Sequence, residues 1–176
     1  MDIAEEQVRS GGYNSFSFRG ISKQIGIKSA SIHYHFPTKA DLGLAIAQRY
    51  TVRFIELLNA ICQEESSPKV RLSRYIDLFR HVVVVDKNIC LCGILATETD
   101  ILPGLIHKET ALFFEQNKQW LIKAIFHNDA QANQKSNVLL ACLEGALLLS
   151  KVTSTHQDFE DIALYLTENG LLDATH

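Results

Sequence analysis

The chain has 176 residues, 47% of them apolar and 21% charged, with three prolines and a formal net charge of −3. That length and composition suit one or two compact domains and exclude a disordered or Pro-rich linker protein. The apolar stretches Val138–Leu143 and Ala146–Ser150 are separated by Glu144, so no run reaches the ~18–20 uninterrupted residues of a membrane span.

Met1–Ser10 carries Asp2, Glu5 and Glu6 and lacks the basic and apolar regions of a secretory signal. Four cysteines without a regular framework suit reduced thiols, which together with the absent signal predicts a cytoplasmic protein with no membrane partner. The charge is unevenly placed: residues 1–50 hold six Lys/Arg against four Asp/Glu, whereas residues 51–176 hold eleven against sixteen. Between Ser15 and Lys39 there are four cations (Arg19, Lys23, Lys28, Lys39), two histidines and no acid, a patch on which a polyanion docks without like-charge repulsion.

Apolar residues recur at helical spacing and no segment alternates strictly, which predicts an all-α chain. A first short helix over about 3–10 stops at Gly11-Gly12, since glycine takes the left-handed stop conformation without a Cβ penalty. Ser17 caps a second over about 18–25, closed by Gly26. A third over about 29–35 stops before Pro37, which disfavours α geometry in the residue before it. Thr38, with Asp41 as capping-box partner, begins a long fourth helix to about residue 65. Ser66-Ser67-Pro68 breaks it, and Pro68 suits the first turn of a fifth helix to about 86. Shorter or longer helices follow over about 91–99, 103–127, 132–154 and 159–169, the last ended by Gly170.

Ser17–Ile32 has the shape of a helix-turn-helix: two short helices, a turn around Gly26-Ile27-Lys28, and a second helix led by small polar side chains. In such a pair the second helix offers its N-terminal residues to base edges, while helix N-termini and flanking cations hold phosphates. Ile21, Ile25, Ile27 and Ile32 are expected to form the small core that sets the interhelical angle. An ordinary helical hairpin is the competing reading.

Gly12-Tyr13, Phe16-Ser17, Arg19, Ile21, Gly26-Ile27 and Ser31-Ile32, followed by His35-Phe36-Pro37-Thr38-Lys39 and Asp41-Leu42, resemble the N-terminal domain of the TetR/AcrR family of bacterial transcriptional regulators. The resemblance spans about 35 residues in the family's order and spacing. It implies a three-helix DNA-binding domain over 1–45 and an effector-binding and dimerisation domain over 46–176, about nine helices in all. It also implies a double-stranded DNA operator, a homodimer, a small-molecule effector, no cofactor and a repressor by default. The implied DNA-binding residues are Ser17, Arg19, Lys28, Ser29, Ala30, Ser31, His33, Tyr34, His35 and Lys39, with Lys39 matching the family's phosphate-binding lysine. The chain departs from the pattern in four places. Lys28 stands where a Ser/Thr cap is usual, leaving Ser29 as an alternative cap; Gly20 and Ser22 replace a polar residue and an alanine; and His33 replaces a tyrosine.

Farther along, Val138–Ser150 is apolar nearly all round, which requires burial on more than one face. The resemblance places a dimer interface on the last two helices, with Leu140, Leu143, Leu147, Phe159 and Ile162 as its residues; the competing reading is a central core helix. Phe54, Tyr75, Phe79, Phe113 and Trp120, with Leu58 and Phe114, are the bulky candidates for an effector pocket. His81, Glu98, His107 and Gln116 are its possible polar anchors. Cys90 and Cys92 precede a helix start, where a thiol can be activated for sensing, although small packing residues look the same. No metal site or enzyme is expected. His107-Lys108-Glu109 lacks the two-histidine spacing of a zinc helix, and no phosphate loop or nucleophile elbow occurs. The alternative function is an all-α ligand- or thiol-sensing protein that has lost DNA binding.

Overall fold

The computed structural model describes residues 1–168, and these form nine α-helices, one 3₁₀ turn and no strand. The helices are α1 (Asp2–Gly11), α2 (Phe18–Ile25), α3 (Ser29–His35), α4 (Lys39–Glu64), α5 (Pro68–Val84), α6 (Leu91–Ala96), α7 (Gly104–Ala124), α8 (Ala132–Thr153) and α9 (Gln157–Glu168). The 3₁₀ turn Tyr13–Ser15, between α1 and α2, has no counterpart in the sequence pattern. The expected end of the last helix at Gly170 lies outside the described residues.

The punctuation acts where local chemistry places it. Gly12, at φ +80°, ends α1 with its N–H on the Val8 carbonyl at 2.8 Å. Ser17 Oγ accepts from the Gly20 N–H at 3.1 Å, capping α2, and Gly26 closes that helix in the left-handed conformation. Thr38 and Asp41 form a reciprocal capping box at the head of α4. The Asp41 N–H donates to Thr38 Oγ1 at 3.1 Å and the Thr38 N–H to Asp41 Oδ2 at 2.8 Å. Lys28 holds the cap position of α3 without a side-chain bond, so the helix start is not shifted to make Ser29 the cap.

Two compact units emerge: Met1–Arg53 with Leu91–Phe113, and Phe54–Cys90 with the chain from Phe114 onward. α6 and the first half of α7 therefore pack with the N-terminal helices, a grouping distinct from the functional division expected at residue 45. In the first unit Val8, Phe16, Leu42, Ile46, Leu91, Leu95 and Ile106 are buried, and α1 packs on α6. Glu5 joins α1 to α4, accepting from Arg49 at 2.7 Å and from Arg53 at 2.5 Å. Gly12 and Tyr13 lie against Glu98, whose carboxylate accepts the Tyr13 N–H at 2.7 Å.

In the second unit α8 packs on α9, and both pack on α5. Arg80 of α5 bonds Glu160 of α9 at 2.9 Å. Arg71 donates to the carbonyls of Glu65 and Ala124, tying the ends of α4 and α7. By length and mean hydropathy (1.3) α8 is the one described helix apolar enough to cross a membrane, yet its stripe Ser136, Leu139, Leu143, Ala146, Leu147 and Ser150 is buried within this unit.

That burial corrects the expected dimer interface. Leu143, Leu147 and Phe159 are at most 1% exposed and Leu140 is buried, so they belong to the protomer's own core; Ile162 is half-buried. The exposed apolar side chains of α8 and α9 are instead Val138, Leu148, Leu149, Val152, Leu164 and Tyr165.

Candidate functional site

The first unit holds the helix-turn-helix. Ile21 and Ile32 are buried between α2 and α3, but Ile25 and Ile27 are 46% and 45% exposed, so they do not form the core expected of them. A polar contact shares that task. The hydroxyls of Ser22 and Ser29 lie 2.8 Å apart, and Ser22 also donates to the Arg19 carbonyl at 3.0 Å. Ser22, which looked like a departure from the usual alanine, thus fastens the two helices, with Ser29 spent on the same bond.

Around this frame the residues expected to meet DNA divide into groups. Ser17, Arg19, Lys28, Ala30, Ser31, Tyr34 and His35 are exposed, Tyr34 at 84%. His33 is exposed at its edge but its ring packs on Phe18, centroids 4.4 Å apart, and its Nδ1 lies 3.4 Å from the Pro37 carbonyl. Lys39 is half-buried. Its ammonium sits 4.9 Å from the centre of the Tyr13 ring and 4.8 Å from that of Phe16, and donates to Asn14 Oδ1 at 3.4 Å. Burial holds its pKa below the ordinary lysine value, with the distant Glu98 charge opposing. The aromatic cradle fixes where this cation stands at the head of α4.

The second unit brings four of the five expected ligand-binding residues into one cluster. Tyr75 stacks on Trp120 at 5.5 Å, Phe79 lies 5.3 Å from Tyr75, and Phe54 meets both Tyr75 and Phe79 edge-on. Trp120 Nε1 donates to the Leu58 carbonyl at 3.1 Å. Phe113, the fifth, falls in the first unit, its ring 5.7 Å from Tyr50. Glu98 holds the Tyr13 backbone in that unit; His107 is exposed there, and His81 is exposed beside Asp86.

Sequence reasoning passed over two polar members of the cluster. The Tyr75 hydroxyl donates to Asn117 Oδ1 at 3.1 Å, both residues being fully buried. Glu144 of α8 has part of its length exposed, but its Oε1 is buried without a hydrogen-bond partner. Burial pushes its carboxyl up to about 7, and a hydrogen bond with Cys90 opposes that rise. Desolvation chiefly, then the nearby Glu144 and Cys90, drive the Tyr75 phenol well above its ordinary value. The available signal was one acid in the middle of an otherwise apolar helix. Cys90 and Cys92 are 2% and 0% exposed, which shields them from the solvent access that thiol sensing requires. All four cysteines are thiols, and no group of three or more metal-ligating side chains occurs among the described residues.

Residues 1–46 match the family described as bacterial regulatory proteins, tetR family. A TetR transcriptional regulator from Legionella pneumophila superposes with a TM-score of 0.90 at 29% identity, over 96% of this chain and 93% of that one. The N-terminal segment is thus that of the tetR family, and the chain as a whole is similar to TetR-family regulators. A TetR-family regulator from Agrobacterium tumefaciens has the same TM-score of 0.90 at 28% identity, again over 96% and 93% of the two chains. The fatty acid metabolism regulator protein of Bacillus subtilis is 24% identical over 91 residues, 52% of this chain and 47% of its own length. The matched segments span about half the length of the curated relatives. Fold and N-terminal domain are those of TetR-family DNA-binding transcriptional regulators, with α2 and α3 as the helix-turn-helix.

Proposed function

We propose that this chain is a TetR-family regulator, a cytoplasmic, dimeric repressor that binds an operator through α3 and leaves it when a small molecule occupies the second unit. The observation that carries the reading is the N-terminal surface: α3 presents Ala30, Ser31, Tyr34 and His35, with Arg19, Lys28 and the cradled Lys39 around it. No acid interrupts the chain from Ser15 to Lys39. Small side chains let the helix approach base edges, and the cations neutralise phosphates on either side. Lys39 and Arg19 are the phosphate contacts; Ser31 and Tyr34 are the base-facing ones.

A two-fold operator needs two recognition helices about one DNA turn (~34 Å) apart, hence two copies. The exposed apolar face of Val138, Leu148, Leu149, Val152, Leu164 and Tyr165 is the surface for the second copy. The effector sits among Phe54, Tyr75, Phe79 and Trp120. Glu144 Oε1, buried without a partner, calls for a hydrogen-bond donor on an otherwise apolar ligand. α4 and α7 each have residues in both units, so an effector that shifts them acts on the N-terminal unit through continuous helical backbone. Selection from random duplex DNA at two salt concentrations tests the reading. An enriched palindrome is the expected outcome; no binding at low salt overturns it.

A further inference from the structure

A cavity of about 430 Å³ opens in the second unit where the ends of α5 and α8 meet the turn into α9. Its polar lining includes Lys87, Ser150, Lys151, Ser154, Thr155 and His156, with Val83 and Val84 as an apolar wall and no acid among the lining residues. We propose that this cavity is a binding site for a small organic oxyanion, a phosphate or a free carboxylate, distinct from the aromatic cluster around Tyr75.

Three observations carry the proposal. The first is Ser150, 4% exposed, whose Oγ is buried with no hydrogen-bond partner. A helical Ser or Thr ordinarily satisfies itself on the carbonyl four residues back, as Ser136 does on Ala132 and Thr153 on Leu149 in this same helix. Ser150 makes no such bond and lines the cavity, at the energetic disadvantage of a buried orphan hydroxyl that a ligand acceptor would relieve. The second is charge. Lys87 and Lys151 are exposed and neither has an ion-pair partner among the described residues. The acids close to them in the chain are engaged elsewhere: Asp86 faces His81 at 3.5 Å, Asp158 accepts from Thr153 at 2.6 Å, and Glu160 holds Arg80. The third is size, since the volume falls in the range of small-molecule pockets and far exceeds that of a lone water.

The competing account is that both lysines simply complement the carbonyl ends of α5 and α8. That role stabilises helices but recognises nothing, and it leaves Ser150 unexplained. The two accounts separate in solution. The full chain is titrated with inorganic pyrophosphate and, separately, with citrate, following the backbone amide resonances of residues 150–156. The expected result is saturable shifts with at least one probe. Lys87→Ala/Lys151→Ala should lower that affinity tenfold or more and Ser150→Ala severalfold, while Lys69→Ala/Lys123→Ala leaves it unchanged. A response to pyrophosphate alone assigns a phosphate ligand, and a response to citrate alone a carboxylate. Non-saturating shifts with both probes, or equal weakening by the two lysine pairs, overturns the site and reduces the lysines to surface charge.

Discussion

Glu144 is a carboxylic acid whose protein environment works against its ionisation. Its pKa is pushed up to about 7 from 4.5, mainly by desolvation. The sign of the linkage follows. Below about pH 4.5 the group is protonated in folded and unfolded chains alike and takes nothing from stability. As pH rises toward 7 the unfolded chain releases the proton while the folded chain retains it, so stability falls, levelling above about pH 7 at a loss of roughly 3 kcal/mol. Glu144→Gln should remove that dependence, and thermal unfolding of the two proteins at pH 5 and 8 reads the difference; parallel curves would refute it. Gly12 poses a backbone question of the same scale. Its φ of +80° is strained for any side chain, and a Cβ there would displace the Glu98 carboxylate that holds the Tyr13 N–H. Gly12→Ala should therefore destabilise the protein by about 1–3 kcal/mol, measurable by urea unfolding.

At the scale of elements, α2 and α3 are too short to be stable alone and depend on caps and on each other. Ser17→Ala removes the bond to the Gly20 N–H and should cost about 1 kcal/mol. Ser22→Ala breaks the hydroxyl pair with Ser29 and frees α3 to shift against α2. Its expected signature is weaker operator binding with an unchanged salt slope, because no phosphate contact is lost. Arg19→Ala should do the opposite, weakening binding to all sequences and reducing the salt slope by about 1. Titrations at three salt concentrations tell the two apart. Most of the elements were legible beforehand because their boundaries rest on local chemistry: Ser17, Gly26, Pro37, Thr38 with Asp41, and Pro68 act within four residues of themselves. The 3₁₀ turn at Tyr13–Ser15 was not, because it depends on Glu98, distant in sequence, holding the Tyr13 N–H.

For the whole molecule, α8 is the decisive helix. One stripe is buried in the protomer, and the opposite side exposes Leu149 at 51% and Val152 at 84%. Water-facing side chains of that size favour association by roughly 25 cal/mol per Å² of apolar area covered. Leu149→Glu/Val152→Glu changes side chains that are 51% and 84% exposed, so the helices should remain while the proposed dimer separates. Sedimentation should show a monomer, and operator binding should weaken with it. A dimer unaffected by both charges would place the contact elsewhere.

Sequence by itself determined the all-α class, the helix order, the caps and the DNA-binding motif, because each is written in residues within a turn or two of one another. Tertiary structure alone decided which side of an apolar helix is core and which is surface. α8 reads as apolar nearly all round, and only its packing on α5 and α9 assigns Leu143 and Leu147 inward and Leu149 and Val152 outward. It alone brought Asn117 and Glu144 to Tyr75. Such meetings join residues dozens of positions apart, and no local pattern in a chain encodes what a distant helix will press against it.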